Sequence, residues 1–190
     1  MLDTMRGLRL LDLGGDILEI GVFLGGGTYT LASFAAREKP GVRVIAVDVF
    51  NTDFDETKCV DGHTMAQVYS EMMHKGGTTE QRTTFDQITA GLENVEVVAG
   101  DSTTVTIPTD HLSFSFIDGN HEPAYVEKDF DNAWSRTLPG GVVALHDYGH
   151  NLPQVTKAVQ RRIGVYADEI ERLWIVETTI YLRKARLAGP

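Results

Sequence analysis

Five carboxylates stand at or near the ends of five short apolar runs: Glu19 in "DILEIGV" (16–22), Asp48 in "VRVIAVDV" (42–49), Asp101 in "VEVVAGD" (95–101), Asp118 in "LSFSFID" (112–118) and Asp147 in "GVVALHD" (141–147). Acids so placed can accept hydrogen bonds from ligand hydroxyls, and Asp48 follows Gly21 at a distance from which one carboxylate can take both hydroxyls of a ribose. Gly21, Gly25, Gly26 and Gly27 fall where the first run gives way to a helix-like stretch. Without Cβ atoms the backbone there can turn sharply and come close to a ligand. Each feature also has a plain structural reading, because tight turns need glycine and single acids at strand ends serve as solvated termini or helix caps. Five acids at successive strand ends fit better with an open α/β sheet, whose ligands gather outside the carboxyl ends of its strands.

The elements that must hold these residues alternate. Between the apolar runs lie helix candidates at 28–38, 64–74, 80–91 and 123–136, a pattern that predicts right-handed crossovers and a parallel sheet covered on both faces. Near the end, "EIERLWIVE" and "TIYLRKA" almost touch, which predicts an antiparallel hairpin closing one sheet edge. Segment 49–94 interrupts an otherwise short-looped architecture, and its first part, "NTDFDETKCVDGH" (51–63), is too polar to be a core element. It is a candidate lid or acceptor-pocket insert. No internal repeat or low-complexity tract interrupts 1–190, which reads as a single domain.

Charge and composition narrow the partners. Seventeen basic against 27 acidic residues give a formal charge of −10, which argues against nucleic acid and anionic membranes and for a small-molecule partner. No apolar run approaches the roughly 20 residues needed to span a bilayer, and the N-terminus lacks a basic head followed by an apolar core. These features predict a cytoplasmic protein. The single cysteine, Cys59, excludes an internal disulfide framework and is expected as a buried or incidental thiol. Tyr125, Val126, Phe130, Ala133 and Trp134 follow helical spacing and read as core, as does Trp174; His63, His74, His111 and His150 show no defensible pairing.

The glycine turn reads E-x-G-x-x-x-G rather than the dinucleotide pattern G-x-G-x-x-G, and an ionised Glu19 beside a pyrophosphate would be unfavourable. That disfavours an NAD-linked oxidoreductase. With "EIGVFLGGGT" as first motif, Asp48 as ribose acid and "AGDS" on the adenine side, the chain resembles the class I S-adenosylmethionine-dependent methyltransferases over about 16–184. The resemblance implies a Rossmann-like methyltransferase fold with a mostly parallel seven-stranded sheet. It also implies an S-adenosylmethionine site made of Glu19, Gly21, Phe23, Gly25, Gly26, Gly27, Thr28, Asp48, Val49, Gly100, Asp101, Ser102 and Asp118.

A narrower likeness lies in "FSFIDGNHEPAYVEKDFDNAWSRTLPGGVVALHDY" (114–148), which resembles the small-molecule O-methyltransferases related to macrocin O-methyltransferase and cephalosporin hydroxylase. By that resemblance Asp118 binds a divalent cation such as Mg2+, His121 is the general base, and His146 and Asp147 are further metal ligands. A hard cation would lower the pKa of an acceptor hydroxyl, and an imidazole titrating near neutrality could take its proton. His146 stands where catechol-type relatives carry an aspartate, so a second acid/base role or ligation of a softer ion remains open for it. His121 has an alternative as a helix-start residue before Pro123. A non-catalytic binding module and diverted chemistry on the same fold also stay open, as does a homo-oligomer whose second subunit helps to cover the site.

Overall fold

The computed structural model describes residues 1–186. Seven strands form one sheet: β1 (Asp16–Ile20), β2 (Val44–Asp48), β3 (Val95–Ala99), β4 (Leu112–Ile117), β5 (Thr137–Leu145), β6 (Ile170–Val176) and β7 (Thr179–Lys184), in the order β3-β2-β1-β4-β5-β7-β6. The first five are parallel, and β7 runs antiparallel to both β5 and β6, as the closing hairpin requires. Flanking helices are α1 (Leu2–Gly7), α2 (Gly26–Glu38), α3 (Met65–Lys75), α4 (Gln81–Ile88), α5 (Pro123–Arg136) and α6 (Pro153–Val165). Of these, α1 and α6 are additions to the sequence-based reading. Among the described residues no helix is long and apolar enough to cross a membrane.

The period-two alternation of a strand divides the core. Leu18, Ile20, Ile45, Val47, Ile117 and Leu145 face one side, where Phe130 and Trp134 of α5 and Val155 and Val159 of α6 cover them. Ile17, Val44, Phe114, Val142 and Ala144 face the other, against Leu31 and Phe34 of α2 and Met5 of α1. Trp134 and Phe130 stack at 5.4 Å between ring centroids. Tyr125 departs from the expected core assignment, being half-buried with its hydroxyl on Asp101, and Trp174 is half-buried and stacked on Tyr181. Cys59 is buried, as expected.

Register then sets the site. Ile20 pairs with Val47 and Ile117, and Ile117 with Leu145, so the next residues along each chain, Gly21, Asp48, Asp118 and His146, emerge at one edge. The backbone ladder continues one step past the strands, with Asp118 N–H donating to the Ile20 carbonyl at 2.8 Å and His146 N–H to the Ile117 carbonyl at 3.0 Å.

Candidate active site

A cleft opens along that edge, lined by Gly21, Phe23, Asp48, Val49, Gly100, Asp101, Ser102 and Asp118 from the predicted site. The insert supplies its other wall through Phe54, Asp55, Tyr69, Met72 and Gln81. Gly21 has φ +82°, and a Cβ there would collide with the Asp118 carbonyl, so the close crossing of β1 and β4 requires glycine. Phe23 adopts φ +48°, a conformation that a bulky residue holds only where its surroundings impose it.

Asp48 is what imposes it. Its Oδ2 accepts the backbone N–H groups of Val22 at 2.9 Å and Phe23 at 3.0 Å, while Oδ1 accepts Phe50 N–H at 2.6 Å and Gln81 Nε2 at 3.2 Å. A carboxylate offers about four acceptor positions, so Asp48 is filled by the protein itself. Burial raises its pKa, and these hydrogen bonds oppose the rise. In this structure the acid predicted for the ribose serves as the clamp of the glycine turn.

Glu19 does not line the cleft. Strand alternation turns it toward α2, where it is 2% exposed and accepts the Thr28 hydroxyl beneath Gly27. Burial, against the opposing effect of that hydrogen bond, pushes its pKa up to about 8, so it is neutral at physiological pH. Gly25, Gly26, Gly27 and Thr28 likewise form the first turn of α2 and its cap, behind the cleft surface. Asp101 holds the loop after β3 by accepting Thr103 N–H at 2.8 Å and the Tyr125 hydroxyl at 3.2 Å.

At the ends of β4 and β5 the histidines and acids meet. His121, 4% exposed, has Nε2 2.9 Å from Asp147 Oδ2 and Nδ1 2.6 Å from Asp55 Oδ2. Burial would lower its pKa, but the two carboxylates outweigh it and push the value up to about 9, making the ring an imidazolium in this arrangement. Burial would likewise raise the two acids, and pairing with the imidazoles instead leaves Asp55 and Asp147 below the ordinary carboxylate range. Asp147 itself has φ +57°. His146 is pushed up to about 10, first by Asp118, 3.2 Å from its Nδ1, and then by Asp147; its Nε2 lies 3.1 Å from the Thr178 hydroxyl.

Asp118, His121 and Asp147 each bring one ligand atom within 4.8 Å of the others. Two carboxylates and an imidazole are a donor set that suits a divalent cation. His146, predicted with them, turns Nδ1 to both acids, 3.2 Å from Asp118 Oδ1 and 3.4 Å from Asp147 Oδ1, and Nε2 to Thr178. His63, His74, His111 and His150 are all exposed, away from the cleft. Sequence reasoning missed Asp55, Tyr69, Gln81 and Thr178; only their occurrence in the polar insert, or beside the hairpin, hinted at the first three and the last respectively.

Solved structures with this fold include the O-methyltransferase NovP, 18% identical, covering 97% of this chain and 79% of that one with a TM-score of 0.73. CalS11, a TDP-rhamnose 3'-O-methyltransferase of calicheamicin biosynthesis, is 17% identical over 96% of this chain and 77% of its own, with a TM-score of 0.62. The O-methyltransferase TomG from Streptomyces achromogenes, in complex with S-adenosylmethionine, is 18% identical over 97% and 79%, with a TM-score of 0.59. These likenesses establish the fold. No curated protein matches the chain. A family model described as a methyltransferase domain matches residues 18–148, both motif regions and most of the sheet between them. By that match the chain belongs to the methyltransferase domain family.

Proposed function

We propose that this methyltransferase moves a methyl group from S-adenosylmethionine to a hydroxyl of a small molecule, a natural product or a sugar, with the help of a divalent cation. The observation that carries the reading is a cleft that ends beside a proton-handling pair. Gly21, Phe23, Asp48, Asp101 and Ser102 line a cleft suited to a nucleoside, and Asp118, which lines it too, lies 3.9 Å from Nε2 of His121, itself paired with Asp147 just behind the lining. Methyl transfer needs oxygen, methyl and sulfur held in line more than it needs covalent help, and a shared cleft supplies that alignment. The carboxylates of the cleft also complement a sulfonium. NovP, TomG and CalS11 are O-methyltransferases, and that of CalS11 acts on TDP-rhamnose, which supports an oxygen acceptor of small size.

Asp118 and Asp147 would hold the cation, with His146, whose Nδ1 faces both acids, as third donor. Bound there, such an ion would acidify an acceptor hydroxyl and compete for the Asp147 carboxylate. With Asp147 drawn to the cation, the imidazolium would release its Nε2 proton to solvent, and the neutral ring then takes the acceptor's proton at Nε2 while Nδ1–H remains on Asp55. The formal charge of −10 supports a partner other than nucleic acid, and the lone buried thiol suits the cytoplasm. The insert 49–94 acts as the lid over the acceptor.

Thermal unfolding with S-adenosylmethionine, S-adenosylhomocysteine and NAD tests the donor: the first two should raise the midpoint and NAD should not. A rise with NAD alone would overturn the reading. Exhaustive chelation should abolish transfer and leave donor binding intact; full activity after chelation would remove the cation from the account.

A further inference from the structure

The insert sends one carboxylate to the back of His121. Asp55 is 4% exposed, and its Oδ2 meets the histidine twice, accepting the backbone N–H at 3.1 Å and lying 2.6 Å from ring Nδ1. Its second oxygen accepts Thr57 N–H at 3.0 Å, and its carbonyl accepts Ala66 N–H at 2.8 Å, which ties it to the first turn of α3. The neighbouring pair repeats the junction, Asn120 Nδ2 donating to the Phe54 carbonyl at 3.2 Å. Insert and β4 loop are thus joined at two successive positions on each side.

A carboxylate against one ring nitrogen of a histidine decides which nitrogen keeps the proton and how the ring is turned. Here each ring nitrogen faces a carboxylate, and the closer one is Asp55, 2.6 Å from Nδ1 against 2.9 Å for Asp147 at Nε2. The nitrogen left to exchange one is Nε2, on the side of Asp147 and Asp118. Asp55 comes seven positions after Asp48, and the chain between them is held at Phe50 by Asp48. One short segment therefore links the donor half of the cleft to the base.

We propose that Asp55 is the positioning residue for His121: through its paired contact with the backbone and the ring it fixes the ring's orientation and its Nδ1–H tautomer, so that the insert completes the base that the sheet edge presents. This assignment rests on the reading of His121 as the base.

The test is ¹⁵N NMR of histidine-labelled protein, read at a pH above the deprotonation of the ring, with the His121 signals identified by their loss in His121→Asn. In the parent protein the neutral ring should carry its proton on Nδ1. Asp55→Ala should lose that single pattern and give a mixture of tautomers or the Nε2–H form. Asp55→Asn, nearly isosteric, serves if the alanine variant does not fold. Its amide cannot accept from Thr57 and His121 at once, so the ring signals should shift or split. A parent ring protonated on Nε2, or ring signals unchanged in whichever variant folds, overturns the proposal. Calorimetry with S-adenosylmethionine on the same samples keeps the two claims apart. A parent that binds none overturns the methyl-transfer reading whatever the ring shows, and a parent that binds it leaves the ring signals to decide the Asp55 assignment.

Discussion

Asp48→Asn replaces one carboxylate oxygen with an amide nitrogen, and the structure says where the damage falls. If the NH2 group faced Val22 and Phe23, two backbone donors would lose their acceptor. Facing the other way it meets Phe50 N–H and Gln81, and Gln81 can turn its own amide because its Oε1 is buried without a partner. The second orientation is cheaper. It still strands one backbone donor, loses the Gln81 bond to the Phe23 carbonyl and removes the charge. A hydrogen bond to a charged acceptor contributes about 1.5–3 kcal/mol net, so a loss of roughly 2 kcal/mol is expected in the cleft. Re-forming the loosened turn as S-adenosylmethionine binds would cost the donor that amount, on the order of 30-fold in affinity at about 1.4 kcal/mol per decade. Isothermal titration measures the affinity, and a melting curve without ligand should show a lower midpoint, because the same bonds hold the turn. An asparagine variant matching the parent in both would refute the clamp and the donor site together.

Three further outcomes follow from particular contacts. Gly27→Ala would drive a methyl group into the Glu19 carboxyl, and overpacking of this kind costs about 1–3 kcal/mol, to be read as a lower denaturant midpoint and weaker donor binding. Glu19 is protonated in the fold up to about pH 8 but has an unfolded value of 4.5, so its contribution is complete below 4.5 and is lost as pH rises through 8. The slope in that window is about 1.4 kcal/mol per pH unit, and Glu19→Gln should flatten it in melting curves of the ligand-free protein; parallel curves for the two proteins would contradict the burial argument. His121→Ala should cut turnover by about 10²–10⁴-fold with donor affinity little changed, and near-parent turnover in His121→Asn would leave the histidine as a helix-start residue.

Much of the fold was legible because parallel strands buried on both faces are nearly continuous apolar runs. The five runs and the closing hairpin all appear, though the strands stop one or two residues early where Gly21, Asp118 and Asp101 enter turns. β5 was expected from 141 yet begins at Thr137, which pairs with Leu112; the ladder resumes at Val142 opposite Phe114 after an irregularity in which Gly140 takes φ +85°. The helix α6 escaped notice because its fully buried residues are only Val155, Ala158 and Val159, amid polar and charged neighbours, with Gly164 near its end. For the site, Asp48 and Asp118 were readable as strand ends, whereas the direction of Glu19 depends on strand parity and on Thr28 from the next helix. Asp55 and Gln81 carry no local signal at all. Their positions depend on how the insert folds back on the sheet, which only tertiary structure specifies.

The central claim is transfer of a methyl group from sulfur to oxygen, and one measurement addresses it directly. S-adenosylmethionine carrying a ¹³C methyl group, incubated with the protein, Mg2+ and a panel of phenols, natural-product alcohols and nucleotide sugars, can be followed by ¹³C NMR. A new signal at an O-methyl shift is expected, formed in step with S-adenosylhomocysteine. A label that appears only on nitrogen or carbon would contradict it.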